Sequence, residues 1–398
     1  MTPKFIVTSY LITIFFLSCS KKPSVSIVNE KKGKLHATVN LHETSVTKFP
    51  LDSVSAPRIQ YCQVYSNGGG KRSLAFLNPN NKSIYLYDFE SQEFIKSINL
   101  EDVEPSNIDK PTAFHIKSLD SIYVYNKTSL EIFLINSRGN VLKKISLIGD
   151  QNIKTSQWIS KFPQYTPQTA MPFIETPTEL LFAGQCVESI PDTIITRFNF
   201  IAHINFKTSV VNFSNTYPES LYGLNYNWSG GLFTQVYTDL SAERDKLILS
   251  FPVSHDLYIS DLRSNKVKSV YGGSNQAGTI SSIIADNKET SKSLAKSHFI
   301  KNDEYAAIKY DKYRKLYYRF LRRSLPEGNE NTDLNKKPIA VIIMDESFNY
   351  LGETTLGSAR NWYLKNAFVT KEGLNIEYLE DNLNEEFLTL RTFTVKNL

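Results

Sequence analysis

The chain has 398 residues, 41 % of them hydrophobic, with 45 lysines and arginines against 40 aspartates and glutamates, a formal charge of +5. So even a balance lacks the concentrated basic footprint that a phosphate backbone demands, which excludes a nucleic-acid partner. Three cysteines are too few for a disulfide framework.

Lys4 and the free amino terminus precede an almost wholly apolar run over residues 5–17. A helix needs about 20 apolar residues to cross a bilayer, so this shorter run reads as a cleaved signal and not as a permanent span. It ends in Phe16-Leu17-Ser18-Cys19, which resembles the lipobox of bacterial lipoproteins, where the cysteine thiol is joined to diacylglycerol and becomes the new amino terminus. The lipobox leucine three places before the cysteine is Phe16 here, while the small Ser18 fits the pattern. The resemblance implies a signal peptide over residues 1–18, a lipidated tether over 19–34, and membrane lipid held through Cys19. Ser20, Lys21 and Lys22 follow, without the aspartate of an inner-membrane retention signal, so outer-membrane sorting is expected. Acidic residues of the kind that direct some lipoproteins outward are missing there, which favours the periplasmic side over the cell surface.

Residues 35–398 read as one all-β domain made of repeats. The runs 84–88, 132–136, 201–205, 257–261 and 341–345 are short and β-rich, and they close on Asp88, Asn136, Asn205, Asp261 and Asp345. A few polar residues and a second strand-like run follow, as at 94–98, 141–145 and 267–270. Asp and Asn suit such turns because their side chains accept hydrogen bonds from nearby backbone amides. Upstream lie two further strands per copy, for example 112–116 and 122–125, so each copy is a four-stranded antiparallel unit. One such sheet cannot bury its own apolar faces, and packing successive sheets round an axis does, which predicts a β-propeller. A pair of β-sandwiches would also give short strands separated by turns, but the recurring run closed by Asp or Asn favours the propeller.

Five blades are marked in this way. The last segment offers three strands, at 367–369, 374–379 and 387–395, and residues 35–41 are expected to supply the fourth and close the ring. That gives six blades, with seven as the alternative. Residues 286–297 read as a loop or a short helical turn.

The segment Tyr310-Asp311-Lys312-Tyr313-Arg314-Lys315-Leu316-Tyr317-Tyr318-Arg319, with the lipobox and the repeats, resembles a family of Gram-negative outer-membrane lipoproteins that share six-bladed propeller repeats and a domain of unknown function. The resemblance implies fold and location and brings no activity with it.

Within that segment Tyr313, Arg314, Tyr318 and Arg319 are candidate ligand-binding residues, since aromatic faces beside guanidinium groups can hold a sugar, a peptide or an acidic group. The same residues also fit a β-hairpin whose side chains alternate between two faces. Trp158 and Trp228 are further aromatic candidates. Trp158 lies in an irregular, proline-bearing stretch, 150–178, which either caps the central channel or decorates the surface. His36, His42, His115, His203, His255 and His298 are scattered singly, so neither a metal nor another cofactor is expected. No Gly-x-Ser-x-Gly elbow occurs, and Gly272 to Gly278 lacks the ending of a phosphate loop, so no catalytic residue is nominated. Cys62 and Cys186 sit among apolar neighbours as small buried hydrophobes, with a bridge between them left open. Asp52-Ser53-Val54, Asp120-Ser121-Ile122 and Asp192-Thr193-Ile194 match a permissive O-glycosylation pattern and equally an ordinary turn into a strand. The expected function is a membrane-anchored extracytoplasmic protein that binds a glycan, peptide or protein. The alternative is a polysaccharide- or peptidoglycan-directed hydrolase or lyase on the same scaffold.

Overall fold

The computed structural model describes residues 23–398 apart from 57, 67–68, 102–107, 188–189 and 381–385, so the expected signal peptide and Cys19 lie outside the described residues. Six four-stranded antiparallel sheets form the body of the chain. Blade one is Cys62–Ser66, Arg72–Asn78, Ser83–Asp88 and Phe94–Asn99, and blade two is Pro111–Ser118, Ser121–Asn126, Glu131–Ile135 and Val141–Ser146. Blade three is Ile174–Glu175, Leu180–Ala183, Ile201–Asn205 and Val210–Ser214, and blade four is Tyr237–Leu240, Lys246–Ser250, Asp256–Asp261 and Val267–Tyr271. Blade five is Glu304–Asp311, Leu316–Arg322, Pro338–Asp345 and Tyr350–Ser358. Blade six takes Trp362–Thr370, Gly373–Tyr378 and Phe387–Asn397 from the carboxy-terminal end and Val39–Pro50 from the other. The protein is a six-bladed β-propeller, as expected.

The middle strands of each blade are buried on both faces because a neighbouring sheet covers each side. Their sequences are therefore nearly continuous apolar runs, such as Ile339 to Met344, and not the alternation of a half-exposed sheet. The outermost strands alternate or are largely exposed, as Phe94–Asn99 shows.

Each expected Asp or Asn sits at the turn from the third to the fourth strand. Asp88 Oδ1 accepts the amides of Glu90 and Ser91 at 3.0 and 2.8 Å, Asp261 Oδ1 those of Arg263 and Ser264 at 3.0 and 2.8 Å, and Asp345 Oδ1 those of Ser347 and Asn349, both at 2.8 Å. Asn136 and Asn205 do the same for Arg138 and Asn140 and for Lys207 and Thr208. Three or four residues on, each turn passes through the left-handed region, at Gln92, Gly139, Ser209, Asn265 and Phe348. Blade six carries no such mark because its fourth strand is not downstream of its third.

Val39–Pro50 pairs antiparallel with Phe387–Asn397, Leu41 opposite Val395 and Phe49 opposite Leu388, so the amino-terminal end closes the ring. The closing strand starts later and runs further than residues 35–41. Before it begins, the Leu35 amide is held by Asn275 Oδ1 at 2.9 Å and the Thr38 amide by the Leu351 carbonyl at 2.8 Å. The chain crosses blade five so closely that a Cβ on Gly352 would lie 1.9 Å from the Val39 carbonyl oxygen.

Of the lipidated tether expected over 19–34, the part from Val25 onward is docked on the ring. Ser26–Ile27 pairs with Ile280–Ser281, and the Asn29 side chain, 7 % exposed, donates to the Ser274 and Ala277 carbonyls at 2.8 and 2.9 Å. Lys31 stands over the Tyr271 ring at 4.5 Å. A polar sequence anchors here because its amides and side chains satisfy backbone groups of the link between blades four and five.

That link also holds a ten-residue helix, Lys292–Lys301, where a loop or short turn was expected. Ser291 caps its start by accepting the Leu294 amide at 3.1 Å. At its end the buried Lys337 ammonium donates to the Phe299 and Asn302 carbonyls at 2.6 and 2.8 Å, a cation at the negative pole of the helix. Cys62 and Cys186 are both buried and no disulfide joins them. No helix among the described residues is long and apolar enough to cross a membrane.

The antiparallel order gives the ring two unlike faces. Turns between first and second strands and the Asp or Asn turns lie on one, the short-turn face. Connections between blades and between second and third strands, including 184–200, 272–303 and 323–337, lie on the other, the long-loop face.

Candidate functional site

The first strands of the blades surround the axis, and the stretch before blade three runs into that space. The Thr169 hydroxyl accepts the Cys62 amide of blade one at 2.8 Å and donates to Asn366 Oδ1 of blade six at 2.5 Å, and the Ala170 amide donates to the Lys365 carbonyl at 2.8 Å. A loop entering from blade three that bonds blades six and one has crossed the axis. Its part around Thr169 and Ala170 plugs the channel, while residues 150–161 stay largely exposed, so each of the two readings of 150–178 holds for part of the stretch.

Beneath the plug is a buried carboxylate, Glu377, whose Oε2 accepts Asn366 Nδ2 at 2.6 Å while Oε1 has no partner. Complete burial pushes its pKa up to about 8, against the opposing pull of Asn366 and then Arg58. It is therefore a neutral acid at pH 7.

Beside the plug a cavity of about 210 Å³ opens on the long-loop face between blades five and six. Its polar wall is Arg58, from the connection into blade one, Arg322 at the end of the second strand of blade five, and Lys365 in the first strand of blade six. Trp362, Tyr363 and Phe299 supply aromatic surface. Arg322 is paired with Glu304 at 2.8 Å; burial opposes its charge, and Glu304 more than offsets this. Arg58 lies 4.9 Å over the Tyr363 ring and donates to the Arg360 carbonyl, leaving its Nε buried and unpartnered. The Lys365 ammonium has no hydrogen-bond or carboxylate partner among the described residues; burial, then Arg322, lower its pKa. Three cations thus meet one internal carboxylate; Arg58 and Lys365 are half-buried, both beside the Tyr363 ring and without a carboxylate partner among the described residues, which an anion entering the cavity would supply.

The residues expected from sequence do not converge there. Arg319, fully buried, donates to Ser250 Oγ and to the His255, Gly272 and Ser254 carbonyls at 2.9 to 3.0 Å and lies 3.9 Å over the Tyr305 ring. Its fork clamps blade four to blade five, and its donors are taken. Tyr318 is buried, its hydroxyl 3.1 Å from Asp311 Oδ2, and Arg314 is held by Asp311 and the Lys371 carbonyl. Tyr313 alone is well exposed, on the short-turn face. Trp228 is a core residue bonded to the Leu221 carbonyl, and Trp158 is half-buried within its own loop, bonded to the Ile153 carbonyl. The hairpin reading of this segment is the one realised.

Sequence reasoning passed over Arg58, Trp362, Tyr363 and Lys365. The four consecutive residues Trp362 to Lys365 line the cavity where the strand's pairing is irregular between Tyr363 and Ala367, so strand alternation in the sequence does not single them out. On the short-turn face Glu175 pairs with His115 at 3.2 Å and with Lys117, and His203 pairs with Glu179 at 3.0 Å and Ser214 Oγ at 2.7 Å. Among the described residues no three His, Cys, Asp or Glu side chains are grouped to hold a metal ion.

The family model described as a domain of unknown function, DUF4221, matches residues 38–355. A crystal structure of a DUF4221 member from Bacteroides vulgatus ATCC 8482 is similar with a TM-score of 0.74 at 19 % identity, covering 91 % of this chain and 99 % of that one. A Bacteroides fragilis NCTC 9343 protein described as exported is similar with a TM-score of 0.51 at 10 % identity, covering 90 % of this chain and 95 % of that one. No curated protein matches. At these identities the two likenesses bear on the fold alone.

Proposed function

The chain belongs to the DUF4221 family, and we propose that it is a lipid-anchored binding protein that holds a carboxylate-bearing group of a glycan or peptide in the cavity between blades five and six. The anchor is Cys19, the membrane the outer membrane, and the side the periplasm. The observation that carries the ligand class is the excess of cations over carboxylates around Arg58, Arg322 and Lys365, beside Trp362 and Tyr363. A guanidinium fork and an ammonium recognise a carboxylate, and the aromatic walls pack the ring or side chain that bears it. The volume is below the roughly 300 to 1,000 Å³ of pockets that enclose a whole drug-sized ligand, so this one takes an end or side group of a longer molecule. Binding without catalysis is favoured because the neighbouring carboxylates, Glu304 and Glu377, are both buried away from the cavity.

Titration with acidic and neutral oligosaccharides and peptides of matched length tests the reading. Acidic ligands should bind, with affinity falling as salt rises, and Lys365→Met should weaken them at least tenfold. Equal binding of neutral and acidic ligands, or an unaffected Lys365→Met, refutes it.

A further inference from the structure

The described chain begins on the long-loop face. The Val25 amide and carbonyl bond Ser282 at 2.9 and 2.8 Å, the Ser26 and Ser281 hydroxyls meet at 2.8 Å, and the Ile283 amide bonds the Asn227 carbonyl at 2.8 Å. Round this exit are gathered apolar side chains with nothing over them: Ile284 is 74 % exposed, Leu224 64 % and Val28 55 %, with Leu294 partly exposed. All lie in connections of the same face. The adjoining helix Lys292–Lys301 carries three lysines and no acid, and Lys21 and Lys22 follow Cys19 in the sequence.

We infer that this patch lies on the bilayer to which the chain is tethered, so that the side of the long-loop face formed by the connections from blade three to blade five tilts onto the membrane and the cavity between blades five and six stays open beside it. The inference rests on the anchor proposed above, and two things identify the occupant. Four residue steps separate Cys19 from Pro23, a reach of at most roughly 14 Å, so the point where the chain leaves the ring cannot stand far from the headgroups. Exposed aliphatic side chains bordered by lysines also match the acyl boundary and anionic headgroups of a lipid surface. Isolated exposed apolar residues are ordinary on a propeller; here they collect at the exit.

The test uses residues 19–398 with Cys19 coupled to a maleimide lipid in vesicles of phosphatidylcholine and phosphatidylglycerol, so that the tether is present whether or not cells lipidate the protein. Cys62 and Cys186 are buried and do not compete for coupling. Amide hydrogen exchange over residues 222–233 and 282–294 should slow at least tenfold on vesicles relative to the uncoupled chain, with the turns at 312–315 and 346–349 unchanged. Leu224→Ser with Ile284→Ser should abolish that protection while coupling persists. Protection of the 312–315 and 346–349 turns to the same degree, or of neither region, overturns the inference. Labelled fatty acid in cells tests the anchor separately: lipidation without protection sinks the patch alone, and protection without lipidation sinks the anchor alone.

Discussion

Replacing Glu377 by glutamine should make the propeller more stable at pH 8 and flatten its dependence on pH. Burial raises the folded pKa to about 8 from a value of 4.5 for the free side chain, so between those limits the folded protein holds a proton that the unfolded chain has lost. Stability must then fall as pH rises through this window, by about 1.4 kcal/mol per unit. Other groups share part of the window. His255, driven down to about 4 by burial, takes a proton only when unfolded between pH 4 and 6.5, so it makes stability rise with pH there and masks Glu377. Lys337, lowered to about 8 by burial, acts only above that value. From pH 6.5 to 8 Glu377 is the largest contributor, and since it is half ionised by pH 8 the wild type should lose about 1.6 kcal/mol that Glu377→Gln keeps. The glutamine fits, since its oxygen can still accept Asn366 Nδ2. Urea unfolding followed by circular dichroism at pH 6.5, 7.25 and 8 measures the difference. Parallel losses in both proteins would mean that Glu377 is ionised in the folded state, and the account of its burial as a neutral acid would fall.

Arg319→Ala should cost about 4 kcal/mol in the same urea assay, because several carbonyls of blade four lose their donor inside the core; a loss under about 1 kcal/mol would show that water replaces the fork. Arg319→Lys should recover less than half of it, having one point charge where the clamp uses a planar fork. Deleting residues 38–50 should expose the edge of Phe387–Asn397 and aggregate the protein, as measured by light scattering; a soluble monomer of unchanged stability would refute closure by this strand. Cys19→Ala should abolish incorporation of labelled fatty acid, and continued labelling would remove the anchor.

What the sequence disclosed was chemistry confined to a few neighbouring residues. An Asp or Asn that accepts amides two to four positions ahead is legible because donor and acceptor lie in one short stretch, and five such turns suffice to count five blades. The sixth could be read from a deficit, three carboxy-terminal strands lacking a fourth. Docking of residues 23–35 was hidden because its partners, Ser274 to Ser282, lie some 240 or more positions away and are as polar as the segment itself. The helix at 292–301 buries only His298, Phe299 and Ile300, three adjacent residues, so it shows no helical periodicity in its apolar positions.

The site was misplaced for a reason that lies in the architecture. In an exposed hairpin, tyrosines and arginines packed as densely as those from Tyr310 to Arg323 would mark a binding surface. In a blade covered on both sides, the same residues are large core fillers whose polar tips must find partners inside, as Arg319 does with the carbonyls of blade four and Tyr318 with Asp311. The side chains left short of partners are the informative ones, and that property cannot be read from one stretch of chain. Arg58 and Lys365 come from opposite ends of the sequence and meet only because Val39–Pro50 joins the last blade and so brings the connection into blade one beside the first strand of blade six. Ring closure therefore builds the cavity as well as the fold. Loss of the closing strand should thus abolish binding of acidic ligands even in any fraction that stays soluble, whereas Arg319→Lys, distant from that seam, should lower stability and leave the affinity of the folded protein unchanged.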